Sequence, residues 1–251
     1  MLIINSLDIT ARLTHGTKKI VNELSFSVQA GEMLGIVGQS GCGKTMTALS
    51  IFGLLPKNCE ATGRAIVNGV DMLSLPERKL AKLRGQKIAY MPQSGADFLN
   101  PSLKVKTHMY ETLRRLDIPR NMRREKAIAL LSSTGFAEPE AVMDKYPFQL
   151  SGGMAQRVVL ALGLAGEPHL VIADEPTRGI DRDSAIEFIA LLKKSFSDSA
   201  LIVITHDISI ANLCDNLLVM RGGAAVEYGA TYDVITNPSH EYTRELIDAI
   251  P

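Results

Sequence analysis

No stretch of this 251-residue chain is apolar for long enough to cross a bilayer. The longest uncharged apolar run, Val158 to Gly166, has nine residues, against the roughly 20 that a membrane-spanning helix needs. The first residues, MLIINSLDITARL, show no basic leader followed by an apolar stretch, so the reading is of a chain without a secretory signal. Charge of one sign is also lacking. Lys plus Arg and Asp plus Glu are 27 each, for a formal net charge of zero. A neutral chain has no global attraction for nucleic acid or anionic lipid. Cysteine is scarce: Cys42, Cys59 and Cys214 are scattered and odd in number. They suit neither a disulfide framework nor a metal knuckle, and point to a reducing compartment. Any membrane association is therefore expected to come through a partner.

What is present is a globular composition, 46% hydrophobic and 22% charged, which excludes a disordered, collagenous or coiled-coil chain. Strand-like segments open it, Leu2 to Ile9 and Ile20 to Val28, the second alternating in LSFSV as a half-buried strand does. Met33 to Val37 (MLGIV), Ile88 to Met91, Leu170 to Ala173 and Leu201 to Thr205 are short continuous apolar runs, the pattern of strands covered on both faces. Helical patterns fall between them, notably Ser184 to Lys194. Buried strands alternating with helices predict an α/β fold with a mainly parallel sheet. From about Ala96 to Ala165 the rhythm breaks. Helical patterns run from Val105 to Leu116 and Arg123 to Ser132 without a buried strand, so residues 96–165 read as a helical lobe inserted into a core of residues 1–95 and 166–251. Arg114 to Lys126 is locally basic and reads as a solvated helical face.

Gly38-Gln39-Ser40-Gly41-Cys42-Gly43-Lys44-Thr45 fits G-x-x-x-x-G-K-[ST], directly after the apolar strand MLGIV and before the helical run MTALSIFGLL. That is the setting a phosphate-binding loop requires. Its backbone N–H groups and the following helix dipole favour an anion. Lys44 reaches the β- and γ-phosphates and Thr45 holds Mg²⁺. LVIADE, Leu170 to Glu175, is an apolar strand ending in two carboxylates, with Asp174 lying 130 residues after Lys44. Asp174 is the expected Mg²⁺ ligand and Glu175 the expected general base toward water. Leu150-Ser151-Gly152-Gly153-Met154 opens a helical run just before this strand and makes a second anion site. One phosphate cannot be wrapped by both loops of one compact chain. The two loops therefore predict a dimer in which each Ser-Gly-Gly loop closes on a nucleotide held by the other subunit.

This set of motifs resembles the ATP-binding-cassette (ABC) ATPases, whose signature is LSGGQ, and the resemblance covers nearly the whole chain. It implies the ABC fold: a P-loop core with N-terminal antiparallel strands and an inserted α-helical lobe, in a single domain over 1–251. It also implies ATP and Mg²⁺ as ligands, and a nucleotide-binding stretch extending to Met46. Met154 replaces the usual Gln, a variant similar to that of peptide and nickel importers. By the same resemblance, Gln93 is the glutamine that touches Mg²⁺ or the lytic water and senses a permease. Asp181 is an aspartate crossing the dimer interface, beside Arg178 where Ser or Thr is usual. His206 is the histidine contacting the γ-phosphate, and His15 is the residue nearest the aromatic position that stacks on adenine.

Two further segments narrow the resemblance to ATPases of oligopeptide, dipeptide and nickel importers: Phe98-Leu99-Asn100-Pro101 running on to Tyr110-Glu111, and Asn237-Pro238-Ser239-His240-Glu241-Tyr242-Thr243-Arg244-Glu245-Leu246, similar to their N-P-x-H-P-Y-T-x-x-L motif with Glu241 replacing the usual Pro. The end at Pro251, without a longer cysteine-bearing tail, is more similar to nickel or metallophore systems. The implied partners are integral membrane permease subunits and a second ATPase, either a related chain or another copy, at the cytoplasmic face of the membrane. Nucleic acid is not an expected partner. The alternative is an ABC ATPase in a soluble enzyme complex such as the phosphonate carbon–phosphorus lyase system. A DNA-maintenance ATPase would need a coiled-coil insertion or tandem repeat that the chain lacks.

Overall fold

The computed structural model describes residues 1–93 and 95–248. Strands β1 (Leu2–Leu13) and β2 (Gly16–Val28) form a hairpin through a two-residue turn at Thr14 and His15. Both are longer than the apolar segments predicted, because their outer ends are polar and exposed. Strands β4 (Cys59–Val67) and β5 (Val70–Asp71) add to β1 and complete an antiparallel sheet ordered β2-β1-β4-β5. Neither was anticipated: β4 reads CEATGRAIV, with a burial pattern that alternates only at its end.

The second sheet holds β3 (Met33–Val37), β6 (Ile88–Met91), β7 (Leu170–Asp174) and β8 (Ala200–Ile204), all parallel where they pair. It is completed by β9 (Asn216–Arg221) and the antiparallel edge strand β10 (Ala224–Ala230). Its order is β10-β9-β3-β8-β7-β6. Every residue of β3, β7 and β8 is buried, as their unbroken apolar runs require. This order places the C-terminal ends of β3, β8 and β7 side by side, so that the loops following them converge. Ligands of open α/β sheets bind at such ends.

Helix α1 (Lys44–Ile51) follows β3, and α2 (Glu77–Leu83) precedes β6. Between β6 and β7 the chain is helical: α3 (Gly95–Phe98), α4 (Val105–Arg115), α5 (Arg123–Ser133), α6 (Pro139–Met143) and α7 (Gly152–Leu164). Helices α4 and α5 match the predicted patterns to within a residue. Their buried faces, Val105, Met109 and Leu113 on α4 and Ala127 and Leu131 on α5, join a core continuous with Val171, Ala173 and Val203 of the sheet. Helix α8 (Arg182–Ser195) packs on the same side through Phe188, Ile189 and Leu192. The opposite face of the sheet packs on the antiparallel sheet through Leu2, Ile4, Leu34, Ile36 and Ile202. The chain ends with α9 (Ile208–Ala211), α10 (Thr231–Thr236) and α11 (Glu241–Asp248). Among the described residues no helix is long and apolar enough to cross a membrane.

Candidate functional site

The loop from Gly38 to Gly43 joins the buried strand β3 to α1 in a tight wrap. Gly38 has φ +149°, and a Cβ there would meet the Met220 carbonyl oxygen at 2.2 Å. Gly43, the N-cap of α1, has φ +107°, and a Cβ there would meet Val21 Cγ2 at 2.9 Å. Backbone of that kind is open to glycine and strained for other residues. Lys44 is 8% exposed. Its ammonium folds back over the loop and donates to the carbonyls of Gly38 at 2.6 Å and Gln39 at 3.1 Å.

The loop borders a cleft of about 550 Å³. Ser40, Gly41, Gly43, Lys44, Thr45 and Met46 line it on one side. Gln93, just after β6, lines it with Asp174 and Glu175 from the end of β7 and His206 after β8. Sheet order thus gathers residues up to 166 positions apart onto one rim. Gly38, Gln39 and Cys42 lie outside this lining. So does His15, which is exposed in the β1–β2 turn. Ile20 and Arg178 line the cleft. Sequence reasoning gave Ile20 no role and placed Arg178 only by its departure from Ser or Thr.

Asp174 is 3% exposed and accepts from the Tyr90 hydroxyl at 3.1 Å. Burial raises its pKa, partly opposed by hydrogen bonding from Thr45 and Tyr90. A cation would relieve the cost of keeping this carboxylate ionised out of water. The Tyr90 phenol is pushed up by burial and by the Asp174 carboxylate, so it stays a donor. It rests on Phe52, ring centroids 5.5 Å apart. Tyr90 was not anticipated, since a tyrosine inside an apolar run reads as core.

Glu175 breaks out of the strand with φ +49°, a conformation uncommon for a residue with a Cβ. Its N–H remains bonded to the Ile204 carbonyl at 2.8 Å. Its carboxylate Oε1 lies 2.8 Å from His206 Nδ1. The Glu175 side chain is 13% exposed and that of His206 is 72% exposed. An acid with one face held by an imidazole and the other on the cleft is suited to orient water and accept its proton.

The Ser-Gly-Gly segment lies elsewhere. Ser151 caps α7, its hydroxyl accepting from the Met154 N–H at 3.3 Å. Met154 packs on the core beside Ile180. Gly152 presses against the turn before α8, where a Cβ would meet the Gly179 carbonyl oxygen at 3.2 Å. Asp181 caps α8 by accepting from the Ser184 N–H at 3.0 Å, and this N-terminal hydrogen bonding lowers its pKa. Ser151, Gly153, Met154, Ile180 and Ser184 line a second cavity of about 350 Å³. None of them lines the first.

Comparison with known proteins places these features in a family. A model described as "ABC transporter" matches residues 21–178. The oligopeptide transport ATP-binding protein of Escherichia coli (strain K12) is 39% identical over all of this chain and 76% of its own length. The metal-staphylopine import system ATP-binding protein of Staphylococcus aureus (strain NCTC 8325 / PS 47) is 37% identical over 98% of this chain and 92% of its own. Among solved structures, a dimeric post-hydrolysis ATP-binding cassette bound to ADP and Pi superposes with TM-score 0.78 at 26% identity, covering 92% of this chain and 99% of that one.

Proposed function

The chain belongs to the ABC transporter family, and from that premise we propose that it is the ATP-hydrolysing subunit of an importer for peptides or metal chelates. The observation that carries the proposal is the single cleft in which Lys44, Thr45, Asp174, Glu175, Gln93 and His206 meet. Relatives named for import, of oligopeptides and of a metal–staphylopine complex, favour transport over a soluble enzyme complex.

The residues present fit Mg-ATP. The loop amides and the start of α1 favour phosphate, and Lys44 adds a positive side chain already aimed into the loop. Thr45 and Asp174 would supply the hard oxygen donors that Mg²⁺ takes, with Gln93 lining the same cleft. A metal held by Thr45 and Asp174 would offset the negative charge of the phosphates. Glu175 accepts the proton of the attacking water. His206 holds the Glu175 carboxylate in place through Nδ1, leaving Nε2 free to face the γ-phosphate. Asp174, kept from water, acts as a fixed donor rather than a base. His15 is too exposed in its turn to enclose adenine as the cleft now stands, and Ile20 supplies the apolar surface there.

Two such subunits close head to tail, with the Ser151–Gly153 segment of each facing the nucleotide cleft of the other and Asp181 at the interface. Residues 96–165 act as a helical lobe that carries closure to a permease. The assembly sits at the cytoplasmic face of a membrane, held through the permease. The test is ATP hydrolysis by the chain co-expressed with permease subunits in vesicles: stimulation by peptides or by chelated metal supports the proposal. Hydrolysis without any membrane partner in the purified native complex would overturn its transport part.

A further inference from the structure

The segment 237–243, singled out by its motif, plays no part in the cleft described above. It folds as the entry to α11 and is tied to the edge strand β10. Glu227 on β10 accepts from the Ser239 N–H at 2.8 Å, the Ser239 hydroxyl at 3.0 Å and the His240 N–H at 3.2 Å. His240 Nδ1 in turn accepts from the Tyr242 N–H at 3.1 Å. The result is a Tyr242 ring that is 2% exposed and fixed at both its backbone and its faces. The Arg221 guanidinium lies over the ring, 4.8 Å from its centroid.

The phenolic oxygen of this ring accepts from the backbone N–H of Gln39 at 2.9 Å, across 203 residues of sequence. Gln39 lies outside the cleft lining. Its carbonyl accepts from the Lys44 ammonium at 3.1 Å and from the Cys42 N–H at 3.3 Å. The peptide unit joining Gly38 to Gln39 is therefore held by α11 on its N–H side, and its carbonyl, that of Gly38, accepts from the phosphate-binding lysine at 2.6 Å. Burial raises the Tyr242 pKa, so the hydroxyl stays neutral and lends an oxygen without adding a negative charge beside a phosphate site.

We propose that Tyr242 is a positioning residue for the phosphate loop: its hydroxyl, anchored from α11, sets the Gln39 peptide and through it the place of Lys44. The proposal rests on the nucleotide reading of the cleft. Without the oxygen, the Gln39 N–H would face an apolar ring, and the loop would shift part of the time to reach water. Affinity then falls in proportion to the fraction still competent. Once nucleotide is bound, the phosphates themselves hold the loop, so turnover of the bound state is preserved.

The test compares the full chain with Tyr242→Phe, which keeps the ring and its Arg221 contact. Titration with Mg-ATP should show a dissociation constant raised about three- to tenfold, the worth of one hydrogen bond. In the assembled transporter, KM for ATP should rise by the same factor with kcat unchanged, a split that a general loss of folding would not produce. The Gln39 amide proton should be protected from exchange in nucleotide-free wild type and lose that protection in the variant. Unchanged Mg-ATP affinity in a folded variant, or a fall in kcat at constant KM, would overturn the proposal. Should the variant fail to fold, fast exchange of the Gln39 amide in wild type does so by itself. A wild-type chain that does not bind Mg-ATP at all would instead overturn the nucleotide reading beneath it.

Discussion

Two loops in this chain are built to receive an anion at a helix N-terminus, and the structure treats them differently. The Gly38–Thr45 loop is enclosed. Lys44 is buried, Asp174 is buried, and four other segments bring groups to the same cleft. The Ser151–Gly153 loop is open. Ser151 and Gly152 are exposed, and no charged side chain from the first site reaches its cavity. Both have the amides and the dipole, and Arg157 lines the second cavity, but only the first joins a buried lysine to a buried carboxylate and a second acid held by an imidazole. On the proposed reading, the first is a site complete within one chain and the second a surface that acquires chemistry against a second chain.

The largest break in this comparison should come from Glu175→Gln. The amide keeps the shape and an acceptor for His206 but cannot take a proton. Hydrolysis is expected to fall at least about 100-fold in single turnover, with Mg-ATP binding retained. Unhydrolysed ATP should then trap the closed pair, seen as an ATP-dependent doubling of mass by sedimentation with the partner ATPase present. Near-normal hydrolysis would remove Glu175 from the catalytic role.

Lys44→Ala strikes the enclosed site alone. A charge-assisted contact to phosphate is worth about 1.5–3 kcal/mol, so Mg-ATP affinity should drop roughly 10- to 100-fold, read by calorimetric titration. Undiminished binding would contradict the assignment of the loop.

Gly153→Asp strikes the open surface alone. A Cβ at Gly153 meets only Ile180 Cγ2, at 3.9 Å, so the substitution is accommodated within its own chain. A carboxylate there opposes the approach of a partner's γ-phosphate. Mg-ATP affinity of the isolated chain should stay within about twofold, while hydrolysis by the assembled transporter falls about tenfold or more. Normal hydrolysis in the assembly would mean that the two loops do not meet across an interface.

The smallest effect tests what lies behind the enclosed site. Burial pushes the Glu227 carboxyl up, but the hydrogen bonds it accepts from Ser239 and His240 outweigh that and hold it below 4.5. A depressed carboxylate contributes stability above its ordinary value and loses it as pH falls through the folded one. Glu227→Gln should therefore lower the melting temperature at pH 7, by an amount worth about 1 kcal/mol or less for so open a group. The gap from wild type should close below pH 4.5. A gap that persists unchanged in acid would show that shape, not charge, anchors the segment.

The chemistry of this protein was written in short segments. A glycine-rich loop between an apolar strand and a helix, two carboxylates at a strand end, and Ser-Gly-Gly opening a helix each depend on neighbours within about ten residues. Backbone sterics and burial periodicity act at that range, so the parallel strands β3, β6, β7 and β8 and the helices α4, α5 and α8 were legible with their chemistry. Strands whose burial depends on partners were not. β4 is irregular in pattern and is a strand because β1 offers it a ladder; β9 and β10 extend the sheet beyond the last predicted strand.

Tertiary structure alone decided which side chains meet. The order β3-β8-β7 brings His206 to 2.8 Å from Glu175, and packing of α11 behind the loop brings Tyr242 to Gln39. Tyr90 looks like a core residue in the sequence and Tyr242 stands there only as one letter of a motif, and both are buried or half-buried in fact. What periodicity cannot encode is the direction of a hydroxyl at the end of a buried ring, because that depends on the strand or loop that folding sets beside it.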